Sequence, residues 1–119
     1  GSADVSYAPK ITKSDAQIDW GMPALEIDRR IRATTPNPGA WSIVGPAGAE
    51  GSHIGVEPIR QLNDLEPMAV GAIKVERKRI LVGTGTHPVE LIRVKPAGKN
   101  TMLATDWVRG LTFDPVFTW

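Results

Sequence analysis

The sequence predicts a mainly β domain, a small closed barrel of about five short strands with one helix before it and a short helix after it. Short apolar segments follow one another from Gly39 to Val94, and glycine- and proline-rich breaks separate them. Helical spacing of apolar residues is confined to the two ends of the chain. Closure into a barrel removes the exposed strand edges that an open sheet of such short strands would leave.

The N-terminal part of the chain predicts an extended arm and then a helix. Pro9 disfavours helix in the arm, residues 7–20, which we expect to end in a turn near Ser14 and Asp15. Pro23 suits the first helical position, and the helix stops at Pro36-Asn37-Pro38-Gly39. An apolar stripe and two i,i+4 ion pairs are expected on this helix: Ala24, Ile27 and Ile31 for the stripe, and Glu26–Arg30 and Asp28–Arg32 for the pairs.

The remaining segments predict strands and a last short helix. The predicted strands cover residues 41–44, 54–62, 68–75, 80–82 and 89–94, with Pro58 making the second an edge or bulged strand. A polar hairpin turn is expected at 76–79, and alternation places Val89 and Leu91 on the face opposite to Val94. The last helix is predicted at 104–109, and Gly110 just after it is expected to adopt a left-handed conformation. The apolar stripe of this helix is expected to consist of Trp107 and Val108 together with either Leu103 or Ala104.

Composition limits the function. A chain of 119 residues without cysteine is one domain with neither disulfides nor cysteine metal sites, and no apolar run approaches a membrane span. These features, and the absence of a signal segment, predict a soluble cytoplasmic protein.

The net charge of +1 conceals a segregation of charge, because residues 74–109 contain eight basic and three acidic residues. This basic final third indicates either an anion-binding face or a solvated hairpin that happens to be basic.

The sequence predicts no catalytic residue and no metal site. His53 and His87, the two histidines, lie far apart without metal-ligand spacing, and we expect both in surface loops. The segment 83–85 has glycines but lacks the lysine of a phosphate loop, so a bulge or turn is expected there. Trp20 and Trp41 are expected to anchor the core or an interface, and Trp107 belongs to the core. Because the strands are largely aliphatic, contact with a phosphate backbone is favoured over stacking on RNA bases.

Two motifs in fixed order carry a family resemblance. Near the start stand Lys10-Ile11-Thr12-Lys13-x-Asp15-Ala16-x-Ile18-Asp19-Trp20 and Pro36-x-Pro38-Gly39-x-Trp41; far downstream stands Pro96-Ala97-Gly98-Lys99, followed by Met102, Asp106, Trp107, Arg109 and Gly110. From Tyr7 to Gly110 the chain resembles the C-terminal domain of methionyl-tRNA formyltransferase, and the likeness is weakest between Gly45 and Glu66.

The resemblance implies an OB-like Greek-key barrel of about five or six strands. Residues 1–6 are then a tag scar and linker remnant, residues 7–119 are the tRNA-binding domain, and a catalytic domain precedes it in the family. The family enzyme transfers a formyl group from 10-formyltetrahydrofolate to initiator methionyl-tRNA, so the catalytic and folate sites lie in that other domain. The implied partners are initiator methionyl-tRNA and the catalytic domain of the same chain, with the protein a monomer.

Five basic residues are predicted to contact RNA. Lys10 and Lys13 match the lysines of the family's linker, and Lys99 matches a lysine of the family's late loop. Lys95 and Arg109 lie in the basic final third. The chain departs from the family pattern at three places. Asn100 stands where the family has a second lysine, and residues 111–119 form a less basic tail. Leu103 stands where the family has a serine that caps the last helix, and Thr101 is expected to provide the cap in its place.

Two alternatives belong to other classes of protein. One is a structural or docking domain of another enzyme that uses 10-formyltetrahydrofolate, such as a sugar formyltransferase or a folate hydrolase. The other is a free-standing OB-like module that binds single-stranded RNA, which requires exposed aromatic side chains.

Overall fold

The computed structural model describes residues 13–119. The predicted tag scar and linker remnant, residues 1–6, lie outside the described residues, as do residues 7–12 with the predicted RNA contact Lys10. Within the described range neither helix has the length or the apolar character needed to cross a bilayer.

Residues 13–119 form two helices and nine short strands. The helices are α1 (Ala24–Thr34) and α2 (Ala104–Arg109), and a 3₁₀ turn, Ser14–Ala16, precedes them at the predicted turn. The strands are β1 (Trp41–Pro46), β2 (Ser52–Val56), β3 (Arg60–Gln61), β4 (Ile73–Val75), β5 (Ile80–Val82), β6 (Val89–Leu91), β7 (Arg93–Pro96), β8 (Met102–Leu103) and β9 (Pro115–Phe117).

The strands pair antiparallel in two sheets. One sheet has the order β8-β7-β2-β1-β9, and the other has the order β3-β6-β5-β4. They meet where β6 continues into β7 through Ile92, and again at an isolated bridge between Ala72 and Val116. The mainly β class is confirmed. The described residues divide into two sheets in place of one continuous barrel. The strands outnumber the predicted five or six because the predicted strands 54–62 and 89–94 are each split in two, and because β8 and β9 were not predicted.

The bend at Ile92 corrects one predicted alternation. Val89, Leu91 and Val94 are all buried, although strict alternation places Val94 on the opposite face. The carbonyl of Ile92 accepts a hydrogen bond from the backbone N–H of Ala104 at 2.9 Å, which extends the pairing of β7 with β8 by one residue. The phase of burial therefore changes between Leu91 and Val94, and both strands contribute side chains to the core.

Helix α1 has the predicted apolar stripe, and its ion pairs are partly as predicted. Pro23 flanks the helix as its N-cap instead of occupying its first position. The buried carboxylate of Asp28 bonds Arg32 at 2.8 Å, as predicted, and also accepts from Gln61 Nε2 at 3.0 Å, which ties α1 to β3. Glu26 pairs with Arg29 and not with Arg30, whose guanidinium bonds the carbonyl of Asp15 at 3.1 Å.

Helix α2 has the predicted bounds but different ends. Gly110 is right-handed, with φ −84°, and its N–H bonds the carbonyl of Trp107, so the predicted left-handed glycine is wrong. Leu103 occupies the N-cap without a side-chain hydrogen bond, and Thr101 does not replace the missing serine. Ala104 and Trp107 are the buried residues of the helix.

The core lies between the sheets and α1, around Trp20. Trp20 is fully buried, its ring centroid lies 4.5 Å from that of Phe117, and its Nε1 donates to the buried Ser42 Oγ at 2.9 Å. Gly83 is packed so tightly that a Cβ atom there would lie 1.9 Å from the carbonyl oxygen of Ala69. The segment 83–85 is therefore a packing feature between strands, in agreement with the expected bulge or turn.

Candidate nucleic-acid interface

One row of residues crosses the outer face of the five-stranded sheet. Strand register places Trp41 of β1 opposite Gly55 of β2, and Gly55 opposite Lys95 of β7. Ser42 and Ile54, the next residues along β1 and β2, are buried, so this row points away from the core. A large aromatic side chain and a lysine thus flank a residue that has no side chain.

A groove of about 520 Å³ lies over this row. Its walls include Lys13, His53, Glu57 and the segment 35–39 that ends α1. A Cβ atom at Gly55 would lie 3.3 Å from the Cβ of Lys95, so the glycine keeps the floor low between the two flanking side chains. Two lysines and one glutamate, Lys13, Lys95 and Glu57, line the groove, and this balance of charge favours an anion.

Lys13 is attached to the groove through its backbone. Its carbonyl accepts a hydrogen bond from Trp41 Nε1 at 2.6 Å, and its ammonium lies 6.0 Å from the centroid of the Trp41 ring. An ammonium over an indole face at this distance is attracted by the ring quadrupole. The arm therefore holds a positive charge beside the row Trp41, Gly55 and Lys95.

His53 is a strand residue and part of the groove wall, which corrects the expected surface loop. Its ring stacks on Trp41 with centroids 4.8 Å apart and planes 21° apart. Its Nε2 is buried without a hydrogen-bond partner among the described residues. Burial, and secondly the charge of Lys13, lower the pKa of His53 from its usual 6.5, because both disfavour the imidazolium. His87 lies in the expected bend, but its Nε2 is also buried and unpartnered within residues 13–119.

Lys99 lies at the end of the turn that follows β7. The N–H of Lys99 bonds the carbonyl of Pro96 at 3.0 Å, and Gly98 has φ +75°, the positive value that the third residue of a type II turn requires. Lys99 lines a second depression of about 350 Å³, which shares His53, Pro96 and Ala97 with the groove. Lys13, Lys95 and Lys99 therefore line two adjoining depressions.

Arg109 lies elsewhere. It lines a separate depression with Val75 and Arg77, and its guanidinium is 3.5 Å from the carboxylate of Asp106. The structure thus brings together three of the five predicted residues, separates Arg109 from them and does not describe Lys10.

Sequence reasoning missed three residues of the groove: Gly55, His53 and Glu57. Trp41 was expected as an anchor, and it is half-buried on the outer face. The alternation of Trp41, Ser42, Ile43 and Val44 places Trp41 opposite to Val44 and was a usable signal. The register that aligns Gly55 with Lys95 cannot be predicted from the local sequence. In the described part of the chain no cluster of three or more possible metal ligands is found.

Residues 10–112 match the family described as formyl transferase, C-terminal domain. The chain belongs to this family. The resemblance carried by the two terminal motifs is confirmed, and the match includes all residues that line the groove, from Lys13 to Thr101.

Curated relatives are bacterial proteins named methionyl-tRNA formyltransferase. The relative from Pseudarthrobacter chlorophenolicus is 46% identical over 110 residues, covering 92% of this chain and 34% of its own length. The relative from Thermobifida fusca is 47% identical with the same coverage of both chains, and that from Mycobacterium avium is 46% identical over 117 residues, covering 93% of this chain and 35% of its own. The chain therefore spans about a third of the length of these relatives.

Proposed function

We propose that this domain holds initiator methionyl-tRNA for a methionyl-tRNA formyltransferase. The proposal rests on the family membership and on the names of the relatives, whose remaining two thirds or so leave room for a catalytic domain. That domain would transfer the formyl group from 10-formyltetrahydrofolate, in the bacterial cytoplasm, before translation initiation. The present domain would contribute RNA binding and no catalytic residue, with one copy acting on each tRNA.

The observation that carries the proposal is the row Trp41, Gly55 and Lys95 with Lys13 above it. Lysine is a flexible point charge that holds phosphates without reading bases. Because Gly55 has no side chain, a backbone phosphate can enter the groove between Trp41 and Lys95 and approach the ammonium groups of Lys13 and Lys95. Gripping the tRNA body at this place would raise the effective concentration of its acceptor end at the catalytic domain.

The test is the salt dependence of tRNA binding by the full-length protein. Lys95→Ala should weaken binding and reduce the slope of log K against log salt by about one, the share of one phosphate contact. Lys78→Ala is the matched control, because it removes the same exposed charge from the hairpin turn between β4 and β5 in the other sheet.

An unchanged slope for Lys95→Ala, or an equal loss of slope in the control, would count against the proposal. In the first case the domain acts without gripping RNA, as a docking domain of another formyl-folate enzyme would. In the second case the attraction belongs to the overall charge and not to this groove.

A further inference from the structure

Residues 113–119 form a tail beyond the family match, which ends at residue 112. The tail is nevertheless part of the fold. Its strand β9 pairs with β1, with Val44 opposite Phe117 and Gly45 opposite Val116. The buried ring of Phe117 packs against Trp20, and the N–H of Thr118 bonds the carbonyl of Ile43 at 2.8 Å. These contacts bring Trp119 to the side of the molecule where the arm runs.

Trp119 contacts the described part of the arm, residues 13–20, and the following Gly21 at three points. Its Nε1 donates to Asp19 Oδ1 at 3.2 Å, and its carbonyl accepts a hydrogen bond from Gln17 Nε2. A Cβ atom at Gly21 would lie 3.8 Å from the indole ring, and one at Gly71 would lie 3.4 Å from it. The indole therefore lies against the arm on one side and against the loop before β4 on the other.

The arm is held at its other side by Trp41. Gln17 forms a parallel bridge with Trp41, the N–H of Ile18 bonds the carbonyl of Trp41 at 2.8 Å, and Trp41 Nε1 bonds the carbonyl of Lys13. The arm thus runs between two tryptophans, one on the first strand of the groove and one on the tail. Gln17 follows Lys13 by four residues, with the 3₁₀ turn Ser14–Ala16 between them.

We propose that the tail is a clasp and that Trp119 is a positioning residue, which holds the arm on the sheet and thereby keeps the ammonium of Lys13 over the groove. The part of this inference that concerns RNA rests on the proposed function. The clasp itself does not, because it is defined by contacts within the chain. Gln17 and Asp19, which form hydrogen bonds with Trp119, do not line the groove, so Trp119 acts on Lys13 through the arm.

The first test measures the clasp without RNA. Trypsin cleaves after Lys13, and cleavage of the native full-length protein requires the arm to leave the sheet. Trp119→Ala removes the indole contacts and one hydrogen bond and should raise the rate of this cleavage about tenfold. Trp119→Phe keeps a ring against Gly21 and Gly71 and should give an intermediate rate. Val75→Ala, which trims an exposed apolar side chain of the other sheet, should leave the rate unchanged.

The second test is a double-mutant cycle on tRNA affinity with Lys13→Ala. In the otherwise unchanged protein, Lys13→Ala should weaken binding about fivefold at low salt, the loss of one phosphate contact. In the Trp119→Ala background the same change should weaken binding less than twofold, because the ammonium is already displaced. If Trp119→Ala fails to fold, Gln17→Ala removes the bond to the Trp119 carbonyl from a half-buried position and replaces it in both tests.

An unchanged cleavage rate in Trp119→Ala and Gln17→Ala would overturn the clasp. Faster cleavage with an undiminished effect of Lys13→Ala would overturn the positioning role. A third outcome is faster cleavage in the tail variants while Lys13→Ala, in the otherwise unchanged protein, has no effect on tRNA affinity. This outcome would refute the proposed role of Lys13 in tRNA binding and would leave the clasp supported.

Discussion

The buried hydrogen bond between Trp20 and Ser42 allows the most direct test of the fold. Both side chains are fully buried, and Ser42→Ala removes one oxygen while leaving the packing volume almost unchanged. The indole N–H, which donates to Ser42 Oγ at 2.9 Å in the native protein, would then lose this acceptor at a fully buried position. A buried donor left unsatisfied costs about 1 to 3 kcal/mol of unfolding free energy.

The measurement is unfolding by urea and by heat, followed by circular dichroism. For a domain of this size about 1 kcal/mol corresponds to roughly 4 °C, so Ser42→Ala should lower the midpoint of thermal unfolding by about 4 to 12 °C. Ser52→Ala makes the same chemical change at the exposed start of β2 and should leave the midpoint within about 2 °C.

A double-mutant cycle isolates the hydrogen bond from the packing. Trp20→Phe removes the donor and also part of the ring, so it is destabilising by itself. Once the donor is gone, Ser42→Ala should cost about 1 to 2 kcal/mol less than it does in the wild type. Additive effects of the two changes would refute the reasoning. So would an unfolding free energy of Ser42→Ala within about 0.5 kcal/mol of that of the wild type, because this difference is too small for a buried donor that has lost its acceptor.

Two further predictions concern a backbone contact and a titration. Gly83→Ala should unfold the domain or lower its unfolding free energy by more than about 3 kcal/mol, because its Cβ would overlap the carbonyl of Ala69. The control is Gly98→Ala: Gly98 has φ +75° but open space around it, so this change should lower the unfolding free energy by only about 1 kcal/mol. Equal losses of unfolding free energy in urea titrations of the two variants would contradict the contact at Gly83. The pKa of His53 is lower in the folded chain than its usual 6.5, so the unfolded chain binds more protons in the interval below that value. Its contribution to stability is complete above pH 6.5 and is lost as the pH falls towards the folded pKa. His53→Gln should therefore show a smaller loss of unfolding free energy than wild type between about pH 7.5 and 5.5, and parallel pH profiles would exclude His53 as the cause.

Local sequence signals were sufficient wherever one residue or one helical turn decides the structure. The bounds of α2, the hairpin turn at 76–79, the stop after α1 and the Asp28–Arg32 pair all depend on neighbours within a few positions. The family resemblance could also be predicted from the two motifs, because their order is a property of the chain.

Contacts between distant residues required the tertiary structure. The burial of Val94 depends on the break at Ile92, the residue between β6 of one sheet and β7 of the other. The groove exists because Trp41, Gly55 and Lys95, from three different strands, align in one register.

The sequence by itself determined the family, the mainly β class and a basic final third. Tertiary structure decided which positive charges lie together: it separates Arg109 from Lys95, and it places Lys13 of the arm in the same groove as Lys95 of β7. It also gave a role to the tail, whose β9 and Trp119 hold the arm in place. The physical reason is that strand pairing joins residues dozens of positions apart through backbone groups that every residue carries, so the local sequence contains no record of the partner.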